Sequence, residues 1–462
     1  MIWHLPGRVA AGSLFAALIS CSVGPAYKRP DFAAPVAWQE GQNVSSVWPD
    51  ADWWHGFGSA QLDQLIADAQ RSNDDLAAAI ARVREADAQA RIAGAPLLPS
   101  LDLGATATRE RAQVTGVGPE VYNVFNPALS ASYEIDFWGK NRAAHQSATA
   151  AALASRYDQQ TVALTVISSV ATTYFQVLEL RERINVTQEN LDSDQKVLDG
   201  LKLEQSVGTA TGLDVAQQET AVITLNATIP LLQQQLRQAT YALAVLVGKT
   251  PEALELQPGS LGALVSLPLE AGMPSELLER RPDVAEAEQQ LIAANADITV
   301  ARAALFPSIM LTASGGYQSA ALATLINPVS RVYAGTAGLT QPIFHGGALR
   351  GQVTYSKARY DELLSMYHKT VLTAFSNADG SLVAVRQTAE QQQRQQAAVA
   401  AARRAYDYAI AQMAAGTINI LTVLNTENAL FTARDTQVQV EYAHLQALVG
   451  LYTALGGGWR LR

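Results

Sequence analysis

The sequence predicts a mixed α+β membrane protein built as an internal two-fold repeat. Three observations lead there. Blocks of sequence return at a spacing of 208 residues, from Pro99 to Pro307 and from Gly208 to Gly416. Four segments of about ten residues alternate apolar and polar side chains, the pattern of half-buried or lipid-facing strands. Two very long stretches, Asn141–Val207 and Gly351–Ala415, contain no proline.

The repeat is visible block by block. "LLPSLDL" at Leu97–Leu103 returns as "LFPSIML" at Leu305–Leu311, and "VGTATGLDVAQQE" at Val207–Glu219 returns as "AGTINILTVLNTE" at Ala415–Glu427. A third pair, "DFWGKNR" at Asp136–Arg142 and "PIFHGGALR" at Pro342–Arg350, falls at nearly the same offset. This is duplication of a unit of about 200 residues, not a solenoid of short repeats.

The chain opens with one positive charge, Arg8, an apolar run from Val9 to Ile19, and small residues. That is the n-region, h-region and cleavage-site pattern of a secretory signal over residues 1–20. The run is shorter than the roughly 20 residues that span a bilayer. The sole cysteine, Cys21, follows in "LISC", which resembles a bacterial lipobox, so Cys21 reads as a lipid attachment point rather than a core thiol. With no second cysteine, an intrachain disulfide is impossible. Residues 21–60, rich in Pro and Trp ("PVAWQE", "DWWHGFG"), read as an extended anchored segment. Beyond residue 20 no run reads as a transmembrane helix, so membrane crossing falls to β-strands.

Each half begins with a helix. Leu62, Leu65, Ile66, Leu76, Ile80 and Val83 form an apolar stripe between Gln61 and Ala93, with a break near Ser72-Asn73; Leu277–Ala304 does the same in the second half. Each helix meets a proline, Pro99 or Pro307, and the period switches to two. The expected strands are Ser100–Thr108, Ala128–Phe137, Ser308–Gln318 and, more faintly, Tyr333–Phe344. A soluble sandwich would show the same alternation. Small residues and acids on the polar face suit a wet lumen instead, and Tyr133, Trp138 and Tyr317 near strand ends suit an interfacial girdle. Residues 109–127 and 319–330 read as loops joining each strand pair.

The proline-free stretches predict helices of about 100 Å at 1.5 Å per residue. Each ends at a Gly-Thr turn, Gly208-Thr209 or Gly416-Thr417, where glycine suits the position just past a helix end. Returning helices follow over Leu213–Val247 and Ile420–Gly450, the first interrupted at Pro230. The expected organisation is a signal at 1–20, a lipid-anchored segment at 21–60, a first repeat at 61–250, a linker at 251–273, a second repeat at 274–456 and a tail at 457–462.

Composition and motifs argue against catalysis and nucleic acid. A net charge of −9 supplies no basic footprint. The six histidines are scattered, and neither HExxH nor a Cys/His cluster appears. "GKT" at Gly248–Thr250 lacks the glycine a P-loop needs, because Leu243 stands there. No Gly-x-Ser-x-Gly elbow appears. The sequence therefore points to a non-enzyme with no catalytic, cofactor-binding or metal-binding residues.

Several blocks together resemble the TolC-like outer membrane factor family, in its lipoprotein branch of NodT-type efflux proteins. They are "CSVGPAYKRP" at Cys21–Pro30, "WWHGFGSAQLDQLI" at Trp53–Ile66, "PSELLERRPDVAEAEQQL" at Pro274–Leu291, "LFPSI" at Leu305–Ile309, "QPIFHGGALR" at Gln341–Arg350 and the Gly416-Thr417 turn. The resemblance implies a homotrimer with a 12-stranded outer-membrane β-barrel, four strands per chain, continuous with a long periplasmic α-helical barrel. It implies that the hairpin tips, at Gly208, Thr209, Gly416 and Thr417, meet a periplasmic adaptor (membrane fusion) protein that serves an inner-membrane efflux transporter. It places the periplasmic gate at Leu421, Thr422 and Asn425, with Asp214 matching a family carboxylate. Here the chain departs from the family. The acidic ring positions of some relatives are the neutral Thr422 and Asn425, and a locking tyrosine and arginine match Met413 and Ile418. Closure by packing of Leu421 and a hydrogen-bonded Asn425 ring is expected, although these turn residues could equally be structural.

Three readings follow. The first is an outer-membrane channel of a tripartite efflux pump, lipid-anchored and barrel-spanning, passing small molecules passively. The second is the outer-membrane duct of a type I protein secretion system. The third is a non-conducting, lipid-anchored periplasmic coiled-coil spacer. The lipobox and the Pro-Asp-Val block favour the first over the second, and the alternating strands disfavour the third.

Overall fold

The computed structural model describes residues 23–39, 47–114 and 118–460. The expected signal at 1–20 and lipid site at Cys21 lie outside these residues.

Four antiparallel strands and seven helices of more than one turn form the described chain. In order they are α1 (Ala60–Ser72), α2 (Asp74–Gly94), β1 (Ser100–Val114), β2 (Gly118–Ile135), α3 (Lys140–Ser206), α4 (Gly212–Leu246), α5 (Pro282–Ala303), β3 (Ser308–Tyr317), β4 (Arg331–Thr340), α6 (Ala348–Ala414) and α7 (Ile420–Ala454). The duplication persists in three dimensions. Helices α3 and α6 both have 67 residues. Helices α4 and α7 both have 35. The members of each pair start 208 residues apart, at Lys140 and Ala348, and at Gly212 and Ile420. The chain divides into two compact units, and α2, α3, α5 and α6 each contribute to both.

The first unit holds the sheet, ordered β1-β2-β3-β4, with β1 and β4 as edges that pair with no other strand among the described residues. Apolar side chains stand out from it: Leu103 is 76% exposed and Tyr333 93%. Beneath the sheet, the Trp138 indole stacks on Phe306 and its N–H donates to the Pro307 carbonyl at 2.8 Å. This girdle candidate is therefore pinned at the strand–helix junction. The chain from Val23 to Arg29 runs antiparallel along α5. Arg302 donates to the Val23 carbonyl, Asn295 to the Pro25 carbonyl, and Arg29 pairs with Glu288. Tyr27 and Tyr360 pack against a core of Leu291, Ala294 and Leu363.

The second unit contains the two helical hairpins, α3–α4 and α6–α7, and the segment after α4. Its junctions repeat as well. The Asn73 amide donates to the Leu246 carbonyl at 2.9 Å, and Arg281, its equivalent 208 residues later, donates to the Ala454 carbonyl at 2.8 Å. Both carbonyls are among the last of their helices, which have no intrahelical donor. Gly248 and Gly456, each at positive φ, lie so close to the Ser72 and Arg280 carbonyls that a Cβ would collide. Arg281 also grips Asp283 through two hydrogen bonds. The "RRPD" motif is thus a clasp between the start of α5 and the end of α7.

Five expectations need correction. The segment 109–127 is mostly strand: β1 and β2 pair out to Val114–Gly118. Cross-strand partners such as Glu110 and Tyr122, hydrogen-bonded at 3.0 Å, extend the hairpin. Pro127 is tolerated because β3 pairing stops at Ala128, so the missing N–H interrupts no ladder on that side. The fourth strand ends at Thr340, before Pro342. Pro230 does not end α4, since Leu225, Ile229 and Leu232 bury the helix around it and one lost backbone bond is absorbed. The Trp-rich segment is not simply extended: Trp53, Trp54 and Phe57 form a buried single turn, with Trp53 stacked on Tyr452 and Phe57 edge-on to Phe175. Finally, α3 does hold a window long and apolar enough by composition to cross a membrane. Within α3, Val170, Phe175, Val177 and Leu178 are buried inside the protein.

Candidate gate at the hairpin tips

The two tips have the same architecture, built from residues 208 apart. At the first, Gly208 takes φ +83°, and the Thr209 N–H and hydroxyl both donate to the Glu204 carbonyl at 2.9 and 3.0 Å. At the second, Gly416 takes φ +71°, and the Thr417 N–H and hydroxyl donate to the Gln412 carbonyl at 3.0 and 2.9 Å. A left-handed residue just past the helix end lets the next N–H fold back on the last turn. A threonine there adds a second donor to the same carbonyl. The four expected tip residues therefore occupy the turns themselves.

The helices after the turns start from matched caps. Thr211 and Asp214 form a reciprocal capping box: the Thr211 hydroxyl accepts from the Asp214 N–H, and the Asp214 carboxylate accepts from the Thr211 N–H at 2.9 Å. Hydrogen bonds from the Thr211 side chain, then its backbone, hold the Asp214 carboxyl below its ordinary range. At the second tip, Asn419 takes the place of Thr211 and Thr422 that of Asp214. The Asn419 side-chain oxygen accepts from the Thr422 N–H and hydroxyl at 3.3 and 3.1 Å. Two of the four expected gate residues, Asp214 and Thr422, are thus employed in starting helices.

The start of α7 has two faces. Ile420, Val423, Glu427 and Leu430 are buried, whereas Leu421, Thr422, Asn425 and Asn428 are exposed. The exposed set follows three- and four-residue spacing and so forms one stripe. On the buried side, Leu201 of α3, Ala409 of α6 and Ile420 and Val423 of α7 form an apolar cluster, joined by Val215, Met413 and Ile418. Met413 and Ile418 therefore bring apolar contacts to the tip.

Sequence reasoning missed a polar layer above this cluster. Arg183 of α3 makes two hydrogen bonds to Asp435 of α7, at 2.7 and 3.2 Å, and a third to Glu179. Nearer the tips, Asp194 of α3 and Glu427 of α7 are both buried. The sequence did carry a signal for them, because each is an acid on the apolar stripe of its helix. Lys249 of the "GKT" triplet is paired with Asp68 at 2.6 Å, an ion pair beside the Gly248 turn. Among the described residues, no group of three or more His, Cys, Asp or Glu side chains forms a potential metal cradle.

The outer membrane efflux protein family matches the chain twice, over residues 65–249 and 273–457, two copies that start 208 residues apart. The chain is 42% identical over 451 residues to the pyoverdine export outer membrane protein OpmQ of Pseudomonas aeruginosa, covering 96% of this chain and 94% of that one. It is 33% identical over 462 residues to the probable efflux pump outer membrane protein SepC of Pseudomonas putida, covering 97% and 96%. Among solved structures, the outer-membrane channel OprN superposes with a TM-score of 0.91 at 27% identity, over 95% of this chain and 100% of that one. The chain therefore belongs to the outer membrane efflux protein family, and it is the outer-membrane channel component of a tripartite efflux pump.

Proposed function

We propose that three copies of this chain close one duct. Their sheets join edge to edge into a 12-stranded barrel, and their helices form a periplasmic tunnel. The observation that carries this is the sheet itself: four strands, both edges unpaired among the described residues, and leucines and a tyrosine exposed on its faces. Open edges and apolar faces need covering. Neighbouring copies would supply the edges and lipid the outer face.

In this reading the tips at Gly208-Thr209 and Gly416-Thr417 contact the periplasmic adaptor, which connects the duct to an inner-membrane transporter. The stripe of Leu421, Thr422 and Asn425 narrows the mouth, and Asp214 shapes the neighbouring tip. Lipid at Cys21 is auxiliary, since the barrel itself would hold the protein in the bilayer. Because OpmQ exports pyoverdine, pyoverdine is the first cargo to test.

Purified protein in a planar bilayer tests the duct. Trimers with single-channel conductance, raised by the adaptor, are expected. Monomers, or trimers that never conduct even with adaptor bound, would favour the spacer reading.

A further inference from the structure

The acid pair above the tips has no part in the duct described so far. Glu427 is 3% exposed and Asp194 5%. One Glu427 oxygen, Oε1, accepts from the Ser193 hydroxyl at 2.8 Å and from the Tyr406 hydroxyl at 3.3 Å. The other, Oε2, is buried with no donor among the described residues. Asp194 and Glu427 line one cavity, with the Asp194 carboxyl facing Glu427, and the Gln218 amide orients it by donating to Oδ1 at 3.1 Å. Asp194, Ser193 and Gln218 belong to the α3–α4 hairpin, and Tyr406 and Glu427 to the α6–α7 hairpin. The contact therefore joins the two hairpins of one chain, six residues, or about 9 Å, along α7 from Leu421.

Two carboxyl groups in contact and out of water cannot both ionise. One proton between them would give the orphaned oxygen its hydrogen bond. We propose that a protonated Glu427 donates from its orphaned oxygen to the Asp194 carboxyl, a bond that latches the two hairpins together and opens when the proton leaves. On release the proton passes to water in the adjoining cavity of about 350 Å³, which Asn190, Thr224, Asn425 and Asn428 line. The titratable groups facing Glu427 are Asp194 from α3 and Tyr406 from α6, while α4 presents the neutral Gln218.

The direction follows from linkage. Burial, and then the negative charge of Asp194, push the Glu427 carboxyl up to about 7. In parted hairpins, water would return it to the ordinary value of about 4.3. The latched arrangement thus holds one more proton than the parted one between those values. Lowering pH through that window favours latching by at most about tenfold per pH unit. Above it the gain is gone.

The latch rests on the hairpin contact, and only its effect on conduction rests on the gate reading. Trimers in lipid nanodiscs are the sample. At about pH 6, the infrared spectrum should show a protonated-carboxyl band that Glu427→Gln removes. Amide-exchange protection of 190–198 and 423–431, corrected for intrinsic rates, should fall as pH rises from about 5 to 8. In Glu427→Gln, which mimics the protonated form, it should not. Asp194→Asn substitutes if that variant does not fold. Absence of the band overturns the proposal, as does a variant that titrates like the parent. Protection that follows added Ca²⁺ and ignores pH overturns it in favour of a cation bridge. Protection that titrates while conductance stays flat supports the latch and counts against the gate reading alone.

Discussion

The Arg281 guanidinium donates to the Ala454 carbonyl at 2.8 Å while holding Asp283 with its other nitrogens. One buried cation thereby caps the end of α7 and fixes the start of α5. Asn73 serves Leu246 in the same way with a neutral amide. Replacing Arg281 by Ala leaves that carbonyl without its donor and Asp283 without its cation, for an expected loss of about 3 kcal/mol. Asn73→Ala loses two neutral bonds, the donor to Leu246 and the acceptor for the Leu76 N–H at the start of α2, about 2 kcal/mol. Thermal melting of the detergent-solubilised protein should rank them in that order, and the reverse ranking would contradict the clasp.

At the tips, Gly416→Ala forces a Cβ into left-handed backbone, costing about 1–2 kcal/mol locally. Amide exchange at Gly416 and Thr417 should rise and adaptor affinity fall, with the global melting temperature little changed. Unchanged affinity would remove the tip from the adaptor contact.

Acid should act on the two tips unequally. The Thr211 hydrogen bonds depress the Asp214 carboxyl. Its contribution as a cap is therefore complete above the ordinary carboxylate value of about 3.9 and is lost as pH falls through the depressed value. Asn419 does not titrate, so the second tip keeps its cap. Amide exchange near Thr211–Asp214 should rise selectively at low pH, and Asp214→Ala should reproduce that fraying at neutral pH. Equal fraying of both tips would refute this account.

If the Leu421–Asn425 stripe narrows the mouth as proposed, Leu421→Ser should raise the conductance of the resting channel severalfold. Trivalent cations should block only weakly, since Thr422 and Asn425 are neutral where some relatives carry acids. Strong block at the periplasmic side would show that other carboxylates line the mouth.

The Arg183–Asp435 contact gives a further check on how the hairpins hold together. Asp435→Asn keeps the shape and removes the charge from a two-bond pair. The expected cost is about 1–3 kcal/mol, read from thermal melting. Double substitution with Arg183→Met should cost less than the two single losses added together. Full additivity would mean that the two side chains do not interact.

The sequence alone determined the elements and their order, because those depend on local rules. Period-two alternation, long proline-free runs and Gly-Thr stops need only neighbouring residues to be read. The spacing of 208 carried the duplication, and it survives to single hydrogen bonds such as Asn73–Leu246 and Arg281–Ala454. Local rules were weakest where a distant partner decides the outcome. Pairing with β1 turned an expected loop into strand, burial carried α4 through Pro230, and Tyr452 and Phe175 folded a tryptophan-rich stretch into a buried turn. Only the tertiary structure brought Asp194 against Glu427, 233 positions apart in the chain. Only it showed that Asp214 and Thr422 first serve to bond the cap residues Thr211 and Asn419 at the starts of their helices. The physical reason is common to all of these. A side chain's chemistry is fixed by its type, but its burial, its partner and its proton are set by whatever the fold places opposite it.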